Sequence, residues 1–309
     1  MLAYLIQRLL WLPVLLIIVS FITFALGYYG PADPIAALMG QRYDPEIAAR
    51  LAREYGLDQP LTVQFVRYLE RIARLDFGES IKYRNQPVVR LLLPRLFVTI
   101  QLNAASSVIG VVSGVGLGVV AALQRGKLID RLVVFGVVLG LAIPAFVAGP
   151  ILLLLFARTI PVLPPGGWDG LFSRSAVLPV ALLSIGPMAV FARQTRAGML
   201  EVMGQDYIRT ARSKGLREES VVIVHALRNA FIPLLTILGF MLGGLVEGTF
   251  LTETIFGIPG MGQFAFESLS GRDYPVIIAV TLLVAVAYAL GNLWVDLLYG
   301  VVDPRIRQA

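Results

Sequence analysis

His225 is the only histidine in the 309 residues, and the chain has no cysteine at all. Thiolate nucleophiles, disulfides and cysteine-ligated metals are therefore excluded. A serine or zinc hydrolase would need His225 beside a second base or a second ligand. No HExxH pattern or partner set accompanies it, so it reads as a helix-packing residue. The phosphate-cradling pattern GxxxxGK[ST] is missing as well: Gly126-Lys127 is followed by Leu128, which has no hydroxyl for magnesium. The chain is not its own ATPase, and it holds no evident metal or catalytic set. What stands out instead is Glu247, an ionisable side chain inside an apolar run. Such a placement is costly in lipid and marks either the lining of a pathway or the interfacial end of a span.

The elements that must carry Glu247 are membrane helices. Residues of the AVILMFWYC set make up 57% of the chain, only 15% are charged, and mean hydropathy is +0.77. Six apolar runs are long enough to span: Leu9–Tyr29, Leu96–Leu123, Leu132–Ala157, Ala176–Ala192, Ala230–Leu251 and Val276–Leu298. The first is too long for a secretory signal core and lacks an Ala-x-Ala site, so a retained helix is expected. The fourth, with Pro179 and Pro187, and the fifth, with Glu247, are the two expected to kink or to line a cavity. The predicted fold class is thus all-α, a polytopic membrane protein with six transmembrane helices.

Basic residues set the orientation. With the amino end inside, the inner segments hold Arg8, then Arg125, Lys127 and Arg131, then the series from Arg193 to Arg228, then Arg305 and Arg307. The short outer segments hold only Arg158, Arg174 and Arg272, so both termini are predicted to be cytoplasmic. The net charge of +6 is spread over these loops and forms no nucleic-acid patch. Three parts follow: residues 1–29 as the first transmembrane helix, 30–94 as a small external helical subdomain, and 95–309 as a five-helix core. In 30–94 the apolar spacing predicts helices over Pro45–Tyr55 and Leu61–Leu75, the latter closed by Asp76-Phe77-Gly78.

Two polar features remain inside the core. Asn103, Ser106 and Ser107, followed by Gly110, Gly114 and Gly118, give one small, polar helix face that suits close packing or a pathway lining. Asn103, Ser107 and Glu247 are the candidates for lining. Glu253, with Pro259 and Gly260 behind it, predicts a tight re-entrant turn after the fifth run.

The cytoplasmic segment 193–228 is the most informative. Gln205 to Lys214 is helical in pattern, with Arg212 and Lys214 in the last turn and Gly215 placed to close it. A second helix from about Arg217 to Leu227 starts on Glu218 and Glu219 and carries Val221, Val222, Ile223 and Val224 in a row. A neighbour in the chain or the groove of a partner protein must cover that run.

This segment resembles the EAA loop of ABC importer permeases. Ala211 matches the second Ala and Gly215 the Gly, whereas Arg209 and Thr210 replace the Glu and the first Ala; Leu227 matches, and His225 and Arg228 depart. It is closer to the dipeptide and oligopeptide branch, of the first-permease type, in "DYIRTARSKGL" and "HALRNAFIPLL". "LDFGES" at Leu75–Ser80, "TETIFGIPGMG" at Thr252–Gly262 and "NLWVDLLYGVVDPRIR" at Asn292–Arg307 follow in order, so the resemblance spans nearly the whole chain.

The resemblance implies a non-catalytic permease subunit in the cytoplasmic membrane of a prokaryote, forming half of a pathway for peptides or similar small solutes. It implies a second homologous permease, two ATPase subunits that bind ATP and magnesium, an extracytoplasmic solute-binding protein, and surrounding lipid; this chain itself would bind no cofactor. The ATPase contacts would be Arg209, Ala211, Arg212, Gly215, Leu216 and Glu219. The competing reading is a self-contained secondary transporter or channel. That would need relay residues within the spans, for which only Glu247 and Asp296 offer themselves, and no internal repeat is evident.

Overall fold

A backbone surrounded by hydrocarbon must satisfy its own N–H and C=O groups, so uninterrupted apolar runs become helices. The computed structural model describes residues 2–29, 45, 46, 50, 53, 58–83 and 86–302. Its helices are α1 Leu2–Tyr29, α2 Leu61–Ala73, α3 Val88–Leu123, α4 Leu128–Ala142, α5 Ala145–Thr159, α6 Val177–Met203, α7 Asp206–Ser213, α8 Glu218–Ala230, α9 Ile232–Gly244, α10 Phe250–Phe256, α11 Met261–Ser270 and α12 Tyr274–Val302, with one 3-10 turn at Arg174–Ala176 leading into α6. Among the described residues there is no strand, only an isolated bridge between Glu79 and Pro87. The helix expected over Pro45–Tyr55 lies largely outside the described residues. The one expected over Leu61–Leu75 is α2, held on α1 by Phe65 and Tyr68 against Phe21 and Phe24.

Among the described residues three helical stretches are long and apolar enough to cross a bilayer, Val88–Leu123, Arg174–Met203 and Tyr274–Trp294, and up to five spans result if two bent pairs each count as one. The sharpest break falls in neither run in which a kink was expected. The third apolar run bends by 99° between α4 and α5 at Pro144, whose ring excludes helical geometry at Ile143, here extended at φ −92° and ψ 113°. The fourth run, by contrast, continues through Pro187 as the unbroken α6, eleven residues into the segment read as a loop.

The core is the seam between α3 and α6. Gly110, Gly114 and Gly118 lie flat on α6: a Cβ on Gly114 would stand 2.5 Å from the Met188 carbonyl oxygen, and one on Gly118 would stand 2.6 Å from Thr195 Cβ. This settles the glycine face as packing. In lipid the gain comes from such close contact rather than from leaving water, so small residues at four-residue spacing are what this seam requires. Val88, Leu91 and Leu92 at one end of α3 are buried against Met261, Phe264, Val276 and Ala279 of α11 and α12. At the other end, Ala122 meets Met199 of α6 and the α7–α8 hairpin.

Candidate functional site

At the carboxyl-terminal end of α3, α7 begins at Asp206, after an extended Gln205, and ends in a turn on Gly215 with φ +75°. A glycine takes this left-handed conformation without the strain a Cβ imposes. Arg212 in the last turn of α7 forks onto Glu218 in the first turn of α8, with Nε–Oε2 at 3.1 Å and Nη2–Oε1 at 2.6 Å, bracing the turn. Arg217 pairs with Glu219 at 3.3 Å.

The apolar run of α8 is divided between two kinds of neighbour. Val221, Val222 and Ala226 are buried with Ile208 and Ala211 of α7 and Met199 of α6. Ile223 and Val224 are instead 62% and 51% exposed, alongside Tyr207 and Leu216. The middle of α8, Val221–Leu227, is wound as a π-helix, which widens the turn and changes which side chains share a face. Of the six expected contact residues, Arg209, Arg212, Gly215, Leu216 and Glu219 are at the surface, whereas Ala211 is turned into the core at 6% exposure.

One ion pair near the hairpin was not anticipated. Arg196 of α6 donates through Nε and Nη2 to Asp130 of α4 at 2.6 and 2.9 Å, and the Gly126 N–H adds a third bond to the same carboxylate at 2.9 Å. Asp130 is the one acid of α4, but Arg193 and Glu201 accompany Arg196 on α6, and the 66-residue separation hid the pairing.

Toward the amino-terminal end of α3, Glu253 on α10 is fully buried. Its carboxylate accepts from the Thr99 hydroxyl at 3.0 Å, the Gln263 N–H at 2.7 Å and the Thr249 N–H at 3.3 Å. Thr99 in turn accepts from the Met261 N–H at 2.8 Å. Burial pushes the Glu253 carboxyl above the ordinary glutamate range, while the bonds from Gln263, Thr99 and Thr249 oppose the rise. A Cβ on Gly260 would stand 2.3 Å from Glu253 Cδ, so the Glu253-to-Gly260 spacing is a carboxylate seated on a bare backbone. A tight turn, closed by the left-handed Gly257, is therefore present between α10 and α11, and turn chemistry alone does not describe it.

A second buried acid, Asp273, accepts from the Ser80 hydroxyl and from the Ile81 and Lys82 N–H groups at 3.1 and 3.3 Å. This ties the end of "LDFGES" to the start of α12.

The three lining candidates separate. Asn103 donates its amide to the carbonyls of Leu245 at 3.0 Å and Glu247 at 2.9 Å, capping the end of α9. Ser107 is half-buried on α3. Glu247 lies beyond α9, which stops at Gly244 rather than running to Leu251 as the fifth span was drawn. Its carboxylate is exposed and accepts from the Tyr288 hydroxyl of α12 at 2.5 Å.

Comparison with known proteins gives a consistent picture. Residues 114–308 match the family described as "Binding-protein-dependent transport system inner membrane component", and residues 1–103 match its N-terminal membrane component family. The dipeptide transport system permease protein DppB of Bacillus subtilis (strain 168) is 39% identical, over 98% of this chain and 97% of that protein. The oligopeptide transport system permease protein OppB of Haemophilus influenzae is 38% identical, over 99% of this chain and 100% of that protein. In structure, a chain from inward-facing conformations of the MetNI methionine ABC transporter superposes with a TM-score of 0.55 at 21% identity, over 71% of this chain and 99% of that one.

Proposed function

Because the chain belongs to the family of binding-protein-dependent transport system inner membrane components, we propose that it is the permease subunit of an ATP-driven peptide importer and forms half of the translocation pathway. It is a membrane component without catalytic chemistry of its own. In this reading six spans cross the cytoplasmic membrane of a prokaryote with both termini inside. A second, homologous permease supplies the other half. Two ATPase subunits bind ATP and magnesium, and an extracytoplasmic protein delivers the solute.

The observation that carries the coupling role is the divided apolar face of α8. Half of it is packed by the chain itself, Ile223 and Val224 are left for a partner, and Arg209, Arg212, Gly215, Leu216 and Glu219 of the same hairpin are at the surface as well. An apolar helical face rimmed by charge suits a groove in a second protein. Ala211 acts from beneath, by holding α7 against α8. Movement of the ATPase then passes through the hairpin to α6, of which α7 is the continuation after a two-residue break. Asn103 and Ser107 flank the pathway and Glu247 faces it.

Ile223→Asp tests this. The side chain is exposed, so the fold should survive, whereas co-purification of the ATPase should fall by about tenfold or more, as for a central interface residue. Gly215→Trp should leave ATP hydrolysis but uncouple it from uptake in reconstituted vesicles. Undiminished ATPase capture by the first variant and wild-type uptake by the second would overturn the docking assignment.

A further inference from the structure

Beyond the end of α9 a cleft of about 470 Å³ opens between the Glu247–Phe250 bend, α11 and α12. Its volume lies in the range of small-molecule sites. Its walls are mostly apolar, with Phe250, Phe266, Leu269 and Val280 among them, and among the described residues Glu247 is the one ionisable lining residue. The Phe250 and Phe266 rings stack at 3.9 Å with an interplanar angle of 22°, forming an aromatic wall.

The acid is set in place rather than loose. Its own N–H donates to the Gly244 carbonyl at 3.0 Å, its carbonyl accepts from Asn103, and the Tyr288 hydroxyl fixes Oε2 at 2.5 Å. Among the described residues Oε1 has no partner and no cation pairs with the carboxylate. A held, unpaired anion beside an apolar, aromatic cleft complements a cation carried on an apolar body.

We propose that this cleft is a transient binding site for the amino-terminal end of a short peptide, with the α-ammonium on Glu247 and an apolar first side chain along Phe250 and Phe266. The inference rests on the peptide-importer reading and adds to it what this permease recognises. Tyr288 orients the carboxylate, so the free oxygen is aimed without loss of side-chain freedom at the moment of binding. A solute without an amine gains nothing at Glu247. Selection would then operate inside the membrane as well as at the solute-binding protein.

The absence of native cysteine makes a direct test available. In the reconstituted complete importer, Leu269→Cys, which keeps Glu247, places a thiol on a 62% exposed lining position. Leucyl-alanine should slow maleimide labelling of that thiol by about tenfold, the scale of one charge-assisted contact. N-acetyl-leucyl-alanine should not slow it, and Glu247→Gln should abolish the protection. Equal protection by both peptides, or protection that survives Glu247→Gln, would overturn the site. So would a thiol that never labels in the assembled complex, which would make the cleft a subunit interface. Vesicles with and without phosphatidylethanolamine form the control, and labelling slowed by that lipid alone would assign the cleft to its headgroup and overturn the proposal. Leucyl-alanine uptake is measured on the same vesicles. Uptake without protection overturns this inference alone, whereas neither uptake nor protection overturns the importer reading with it.

Discussion

At the α10–α11 end of the molecule a turn is fastened by a buried carboxylate, whereas at the α7–α8 end a turn rests on apolar contacts and a solvent-exposed ion pair. Glu253 gathers one hydroxyl and two backbone N–H groups from α3, the α10 entry and α11, and each donor has a fixed direction. Ile208, Ala211, Val221 and Val222 hold the hairpin by contact that has no direction. A directional network resists sliding, because every donor would be stranded in a dry site. An apolar seam lets two helices shift slightly while staying packed. The first end is built as an anchor, whereas the second has no comparable directional lock.

The largest expected effect tests the anchor. In Glu253→Gln one acceptor becomes a donor that faces donors, leaving Gln263, Thr249 or Thr99 unpaired in a buried place, at a cost of about 2–3 kcal/mol. Hydrogen exchange at residues 261–263 should accelerate by roughly 30- to 160-fold, as that free energy implies, with the α7–α8 amides unchanged. Equal acceleration at both ends would erase the contrast. The pH dependence has a definite sign. Because the folded carboxyl has a raised pKa, the folded chain retains a proton that the unfolded chain has released. Stability at this end should therefore fall as pH rises from the ordinary glutamate range through the folded value, and Glu253→Gln should flatten that slope.

The two ends also differ in how far the sequence disclosed them. The hairpin was legible because its information is local: Gly215, the charges at the helix ends and the run Val221–Val224 lie within twenty residues, and their order implies the turn. The split of that run into a buried and an exposed half was not legible, since four consecutive apolar residues do not say which of them meets α7 and α6. The anchor was hidden for the opposite reason. Thr99 meets Glu253 across 154 residues, and Ser80 meets Asp273 across 193. One sequence without its pairings offers only an acid near a Pro-Gly turn. The break at Pro144 was masked by continuous hydropathy, which registers lipid-compatible residues and not the missing N–H that ends α4. Glu247 was visible as an anomaly in an apolar run, yet its setting beyond a helix capped by Asn103 needed coordinates.

A middle-sized effect is expected at Gly215. No atom lies within 4 Å of where a Cβ would stand, so Gly215→Ala meets only backbone strain at φ +75°, about 1 kcal/mol. The turn should loosen without harm to Val221 or Ile208, seen as faster exchange confined to residues 213–218. Gly215→Asn should cost less, because asparagine tolerates the left-handed region. If asparagine costs as much as alanine, the turn is shaped by something other than this torsion.

The smallest effect is expected where the picture looks most ordered. Arg212 meets Glu218 in a bidentate pair, but the two side chains are 44% and 58% exposed, so water competes for both. The pair draws the Glu218 carboxyl down and the Arg212 guanidinium up, chiefly through their shared hydrogen bonds. Such a pair on a surface contributes roughly 0.2–1 kcal/mol and is weakened by salt. Arg212→Ala should thus lower the thermal midpoint of the purified subunit by no more than Gly215→Ala does, and the difference from wild type should shrink further in high salt. Its effect on ATPase capture should be the larger one, since the same guanidinium stands on the face proposed for docking. A stability loss on the scale of Glu253→Gln would mean that the hairpin, too, is an anchor, and the contrast between the two ends would have to be given up.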